Sequence, residues 1–324
     1  MKIFYVGDFT SNNGPATVNK EVVARVKSTV YHCQSNSWLA KPFTDLINFC
    51  YSDVVHVSAV SLKGLFFSFL GFLFLKKRFF LMHGSLITES KYKQVSLIRL
   101  MIERLLVLLS SKVITVSILL KEKVLILYRV RDENKIIAIP NGVSDCLVES
   151  YLNRAPYINR NVDIVTVGGG RPEKNILRIC EIISISELSK NVTIHVFGED
   201  GEHTKVIKKY SFVNYHGFVS PDELKSYVES CKVFIQYSEF DSFSIAALEA
   251  AVLGCRVLLS SNVGLKDYVD HPSVKVVDDN ANDLISLINN ALYDVYLDNF
   301  VVPEYLMWGK ISERYEDVWC EHIK

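Results

Sequence analysis

Net charge is the first thing this sequence lacks, since 36 lysines and arginines balance 36 aspartates and glutamates over 324 residues. A general nucleic-acid binder carries a basic excess to neutralise phosphates, so that class is excluded and any anion must be held locally. Cys-x-x-Cys spacing is also missing. The seven cysteines (Cys33, Cys50, Cys146, Cys180, Cys231, Cys255 and Cys320) are odd in number and scattered. That fits neither a zinc site nor a disulfide framework, and free thiols point to a reducing compartment. No acidic cluster suited to a metal stands out, so neither a metal nor a resident cofactor is expected. The most apolar stretch, Leu65 to Leu75, has eleven residues, and that much helix covers only about half a hydrocarbon core. Short repeats and low-complexity segments are absent. The opening MKIFYVGDF reads as a strand rather than a signal peptide. The expected location is cytoplasmic.

What is present is an ordinary globular composition, 49% hydrophobic and 22% charged, with length for two domains of roughly 150 residues. Short β-branched runs alternate with helical patterns from end to end. Strands are expected at Lys2–Val6, Thr29–His32, Asp53–Val57, Phe79–Met82, Lys112–Val116 and Lys135–Ile139. A second series runs Asp163–Val167, Val192–Phe197, Phe212–Tyr215, Val233–Gln236 and Arg256–Leu259. Many are apolar throughout, as parallel strands covered on both faces must be. The fold class is α/β, two doubly wound halves. Turn signals and mixed polarity between Asn141 and Arg160 read as a linker. The domains are therefore set at residues 1–150 and 151–304, followed by a final helical segment at 305–324. That last helix puts Trp308, Ile311, Tyr315 and Val318 on one stripe.

Leu65–Leu75 is flanked by Lys63 and by Lys76, Lys77 and Arg78. The expectation is a buried helix packed on a sheet. The other reading is an interfacial helix whose basic flank meets anionic headgroups. Gln94–Leu109, with Arg99 and Arg104 among leucines and isoleucines, repeats the combination and makes membrane-surface contact a second possibility.

Ligands of open α/β sheets sit beyond the carboxyl ends of the strands, so residues that directly follow strands matter most. After the first strand, GDFTSNNGPAT places Gly14 before a helix, suited to phosphate. After the fourth strand, His83 precedes Gly84 and could donate to a ligand hydroxyl. The second half opens with VGGGRPEKN. Gly168, Gly169 and Gly170 allow close backbone approach, while Arg171 and Lys174 set two cations at a helix start. Together they make an anion site, most simply for a diphosphate. The dinucleotide fingerprint fails at Glu173, and no Gly-Lys-Ser/Thr follows for a Walker loop. Later, YSEFDSFSIAALEAAVLG offers Asp241 or Ser242 as helix cap. Asp241 and Glu249 lie eight positions apart, roughly 12 Å on a helix, a spread that suits two ends of a nucleotide sugar.

In this order, the segments resemble the retaining GT-B glycosyltransferases often grouped as family 4. They are the Gly14 loop, His83-Gly84, VITVS at Val113–Ser117, IPNGV at Ile139–Val143, VGGGRPEKN, VNYHGFVSPDELKSYVESCKVFIQYS and DSFSIAALEAAVLG. The resemblance implies two Rossmann-like domains facing each other across a cleft, with the nucleotide sugar on the second and the acceptor on the first. It also implies that the last helix returns to the first domain.

By position, the resemblance makes Glu249 the ribose carboxylate and Lys174 the diphosphate cation, with Arg171 as its companion. His83 would lie near the reacting centre and Gly14 in the loop over the phosphates. Gly168, Gly170, Ser242, Phe243 and Ser244 complete the implied donor site. The family glutamate eight positions before Glu249 is here Asp241, so Asp241 or Glu239 would serve the donor sugar. Gly169 stands where the family's arginine would be.

The implied function is metal-independent transfer, with retention, from a UDP- or GDP-sugar to a saccharide acceptor. The basic apolar elements suggest a lipid-linked acceptor in bacterial surface-polysaccharide assembly, at the inner face of the plasma membrane. The alternatives are a nucleotide-sugar-binding protein without catalysis and a nucleotide-sugar isomerase of the same fold.

Overall fold

A computed structural model describes every residue except 12, 36–41, 153–155, 279, 294–299 and 322–324, and leaves undescribed the side chains of 146 and 150–152. The chain divides into two compact units, Met1–Gly142 with Glu304–Lys324, and Val143–Pro303. The sequence reading places these divisions after residues 150 and 304.

Unit 1 runs β1 (Lys2–Gly7), α1 (Gly14–Arg25), β2 (Thr29–Gln34), α2 (Pro42–Tyr51), β3 (Val54–Ser58), α3 (Leu62–Leu73), β4 (Lys77–Met82) and α4 (Leu86–Glu89). It continues with α5 (Leu97–Leu109), β5 (Lys112–Thr115), α6 (Ile118–Leu127) and β6 (Ile136–Ala138). Its six strands pair in parallel in the order β2-β1-β3-β4-β5-β6. The five residues of β3, VVHVS, are all buried, which is why the sequence shows an unbroken run instead of alternation.

Unit 2 runs α7 (Asp145–Leu152), β7 (Val162–Val167), α8 (Ile176–Ser184), β8 (Ile194–Phe197), α9 (Thr204–Ile207), β9 (Val213–Gly217) and α10 (Pro221–Glu229). After these come β10 (Cys231–Gln236), α11 (Ile245–Val252), β11 (Arg256–Ser260), β12 (Val274–Val277) and α12 (Ala281–Tyr293). The second sheet is also parallel, in the order β12-β11-β10-β7-β8-β9. The expected α/β class of two doubly wound halves is what the structure shows.

The last helix, α13 (Trp308–Glu321), belongs to unit 1. Its buried stripe is Trp308, Ile311, Tyr315 and Trp319, with Trp319 where the sequence reading expects Val318. Trp319 Nε1 donates to buried His56 Nδ1 at 3.1 Å, and Glu316 accepts from the backbone N–H groups of Lys27 and Ser28 at 2.9 and 2.7 Å. A Cβ on Gly142 would lie 2.8 Å from the Trp308 ring, so the glycine of IPNGV is what lets that indole close on the chain.

Three expectations need correction. The linker between Asn141 and Arg160 contains a helix, α7, because its polar residues interrupt rather than abolish the apolar pattern. β12 is an edge strand with two of its four residues exposed, and its short VKVV run carries too little apolar signal to stand out. Most consequentially, α3 is not a buried helix: Gly64, Phe67, Ser68 and Gly71 face inward, whereas Phe66, Phe69 and Phe72 are exposed. A Cβ on Gly64 would lie 2.5 Å from Val57 Cγ1. Close approach to the sheet therefore uses the small residues, and the phenylalanines are left on the outside.

Candidate functional site

In each sheet one pair of neighbouring strands sends its connections in opposite directions. In unit 2 the pair is β7 and β10. β7 leads on to β8 on one side and β10 to β11 on the other, and the loops beyond their carboxyl ends diverge into a crevice. Those two loops carry VGGGRPEKN and SEFDSFS, so the topology converges residues about seventy positions apart.

The glycine loop is built by contact. A Cβ on Gly169, whose φ is +61°, would lie 2.0 Å from the Glu199 carbonyl oxygen. On Gly168 it would meet Lys174 Cγ at 2.4 Å, and on Gly170 Thr204 Oγ1 at 2.0 Å. Lys174 therefore lies across the bare backbone of the loop. Its Nζ donates to Asp241 Oδ2 at 2.6 Å, joining the loops after β7 and β10, and Glu239 N–H donates to the Glu173 carbonyl at 3.0 Å. Arg171 uses Nε on the Gly168 carbonyl at 3.1 Å, and its NH1 reaches Glu173 at 3.7 Å.

Asp241 does not cap α11, and neither does Ser242. Its Oδ1 accepts from Phe243 N–H at 3.1 Å, while the cap position falls to Ser244, at φ 72° and without a side-chain cap bond. Ser244 is buried beside Phe243, and its left-handed backbone is a strained conformation for a residue with a Cβ. Asn175, at φ 56°, caps α8 in the same unassisted way. Two helix N-termini thus end at the crevice without a side-chain bond from their own cap residues, and such starts present amide donors and positive dipole ends to an anion.

The two carboxylates of this region differ. Burial would raise Asp241, but the Lys174 ammonium and the hydrogen bonds from Lys174 and Phe243 outweigh it and hold the group below its ordinary value. Glu249, on α11, has no side-chain donor among the described residues, and burial pushes it up to about 7. A cavity of about 400 Å³ adjoins the crevice, lined by Asn175, Arg178, Ser238, Glu239, Ser260 and Asn262. A larger one, of about 490 Å³, lies by the starts of β11 and β12 against Arg256, Ser273 and Lys275. It is at the other end of the strands and has neither the glycine loop nor the helix N-termini, so the smaller cavity is the candidate. Among the described residues no group of histidine, cysteine and acidic side chains could hold a metal.

In unit 1 the strands that diverge are β1 and β3. Gly14 begins α1 after β1, but Asn13 already caps that helix through Ala16 N–H at 2.9 Å. The loop before it is closed on Asp8, whose Oδ1 accepts from Thr10 N–H at 2.9 Å and from Gln34 Nε2 at 3.0 Å. His83 follows β4, with its Nε2 2.8 Å from Ser58 Oγ at the end of β3. Burial pushes its pKa down to about 4, so the ring is neutral near pH 7 and can hydrogen bond without adding charge.

Glu103 is a residue the sequence reading missed. It is 1% exposed on α5 and accepts twice from Leu86 N–H, at 3.1 Å each, and from the Tyr128 hydroxyl. It thereby pins the turn just after His83-Gly84-Ser85. The available signal was a lone glutamate inside LIRLMIERLLVLL, the same signal that drew attention to Glu249.

Comparison with known proteins bears on these features. Residues 156–299 match the family described as glycosyl transferases group 1. The matched segment contains the crevice of unit 2, and the match supports the glycosyltransferase class of enzyme. A search among curated proteins finds no match.

Solved structures share the fold of the group 1 segment and of the rest of the chain. Anabaena HepE in complex with UDP and glucose is 14% identical with a TM-score of 0.71, covering 99% of this chain and 100% of that one. The lipopolysaccharide outer core galactosyltransferase WaaB is 16% identical with a TM-score of 0.69, covering 99% of each chain. Sucrose-phosphate synthase from Thermosynechococcus elongatus is 15% identical with a TM-score of 0.68, covering 99% of this chain and 98% of that one.

Proposed function

We propose that the protein transfers a sugar from a UDP- or GDP-sugar to a saccharide acceptor, with the diphosphate seated at the crevice between β7 and β10. The observation that carries this reading is the Lys174–Asp241 pair at 2.6 Å. It places a cation above a bare glycine backbone, beside the uncapped starts of α8 and α11. Bond breaking at the sugar loads negative charge on the departing diphosphate, and fixed amide dipoles with Lys174 and Arg171 stabilise that charge without reorganising. A metal ion is not needed for this step. An incoming diphosphate competes with Asp241 for Lys174 and frees the Asp241 carboxylate for sugar hydroxyls, while Glu239 is offered by the adjoining cavity. Glu249 accepts from ribose hydroxyls once ionised. His83, neutral and held by Ser58, is the candidate hydrogen-bond donor of unit 1 to a sugar hydroxyl, and Gly14 marks the candidate phosphate loop of that unit. Transfer proceeds with retention of configuration, and the acceptor is a lipid-linked saccharide of bacterial surface-polysaccharide assembly. That HepE was solved with UDP and glucose and WaaB is a lipopolysaccharide galactosyltransferase supports the choice of donor and acceptor classes.

The test is a panel of nucleotide sugars scored by thermal stabilisation, followed by release of nucleoside diphosphate with acceptor present. One donor is expected to raise Tm in the wild type and not in Lys174→Ala. No stabilisation by any nucleotide sugar would sink the proposal. Binding without release under any acceptor would leave a non-catalytic binding protein, and donor conversion without acceptor would make it an isomerase. Asp241→Asn and Glu239→Gln then separate the two carboxylates, since the one serving the sugar lowers turnover more.

A further inference from the structure

The helices that cover an α/β sheet normally turn their polar sides outward, and one layer of unit 1 does the reverse. α2, α3 and α5 each follow a strand whose connection runs the same way along the sheet, so right-handed crossover puts all three on one face. On α3 the small residues face the sheet, while Phe66, Phe69 and Phe72 are 43%, 48% and 50% exposed. On α5, which packs beside α3, Leu97, Ile98, Met101 and Leu108 are each more than 60% exposed. Phe43 and Ile47 extend the surface across α2, where a cavity of about 240 Å³ opens among Phe43, Leu46 and Phe66. An apolar expanse on this scale marks an interaction site.

We propose that this face docks on the surface of an anionic lipid bilayer. Charge selects that occupant. From Pro42 to Lys112 the chain carries nine lysines and arginines against four aspartates and glutamates, although the whole chain is neutral. Two of those four carboxylates are turned inward: Asp45 pairs with Lys63 at 2.7 Å, and Glu103 holds Leu86 N–H. Lys77, Lys91, Arg99 and Arg104 are exposed, and only Arg99 among them feels one of these carboxylates, the inward-turned Glu103. A second copy of the chain meeting this face by two-fold symmetry would set these cations against each other, whereas anionic headgroups complement them. No helix among the described residues is long and apolar enough to cross a membrane. The arrangement is that of helices lying in the headgroup region, with phenylalanines inserted and cations at the phosphate level.

The experiment is sedimentation of the full chain with vesicles of phosphatidylcholine alone and of phosphatidylcholine with phosphatidylglycerol. Binding is expected only to the anionic vesicles and should weaken as salt is raised. Arg99→Gln and Arg104→Gln should each weaken it about fivefold. Phe69→Ser with Phe72→Ser should abolish it while the variant keeps the folded circular-dichroism spectrum, because neither ring faces the sheet and both are about half exposed. The proposal is overturned if anionic vesicles bring down no protein, if both vesicle types bind equally, or if light scattering shows a dimer that the double phenylalanine variant dissociates. Sedimentation does not depend on turnover, so it can fail while the transferase reading stands.

Discussion

The loop after β1 and the loop after β7 hold corresponding places in the two sheets, each leaving a strand at the point where connections reverse, and both feed a helix. The first spends its polar groups on itself. Asp8 gathers Thr10, Ser11 and Gln34, and hydrogen bonds to these groups hold it well below the carboxylate range even though burial alone would raise it. Asn13 caps α1. The second leaves its helix uncapped and sets a lysine over glycine backbone. The same topology yields one loop that is internally satisfied and one whose donors await an anion, so position at the switch point is a place for a site and not evidence of one.

Four experiments break or sharpen that contrast. The largest effect belongs to Lys174→Ala, expected to lower turnover by about 10²–10³ with the fold retained. Nucleoside diphosphate release measures it, and near wild-type turnover would remove Lys174 from the mechanism. Next is Gly169→Ala. A Cβ 2.0 Å from a backbone oxygen has nowhere to go, and urea denaturation should show a loss of about 3 kcal/mol.

Glu249 comes third and reads out as pH dependence. Its folded pKa of about 7 lies above the ordinary 4.5. The charge is thus disfavoured by folding, and stability is lost as pH rises through that window. Glu249→Gln should be the more stable protein above pH 7, and should lose the gain in donor affinity that the wild type shows as pH rises through 7. Calorimetry at pH 6 and 8 decides both.

The smallest change is Gly14→Ala. Nothing lies within 4 Å of the added Cβ, so stability should move by less than about 0.5 kcal/mol and turnover should hold. A large drop in turnover would show that the first loop takes part more directly than its closed hydrogen bonding suggests.

The sequence was most informative where a pattern is local. Unbroken apolar runs such as VVHVS report burial on both faces, and eleven of the twelve strands among the described residues lie close to where the sequence places them. Glycine triplets and a glutamate among alanines mark backbone approach and a desolvated carboxyl without any knowledge of neighbours. It was least informative where the other side of a contact matters. Periodicity shows that α3 has two unlike faces, but the choice of glycine and serine for the sheet side follows from how near Val55 and Val57 stand. The same limit applies to Trp319, whose partner His56 comes from the far end of the chain, and to Asp241, which reads as a helix cap until Lys174 is placed beside it.

Sequence alone determined the class of fold, the two-sheet order of the elements and the residue types at the strand ends, because these depend on propensity and on hydrophobic periods of two and 3.6 residues. Tertiary structure decided which charges meet, which helix starts stay uncapped and which side of α3 is left bare. Those outcomes depend on distances between residues remote in the chain, and a pattern along one strand or helix carries no measure of them.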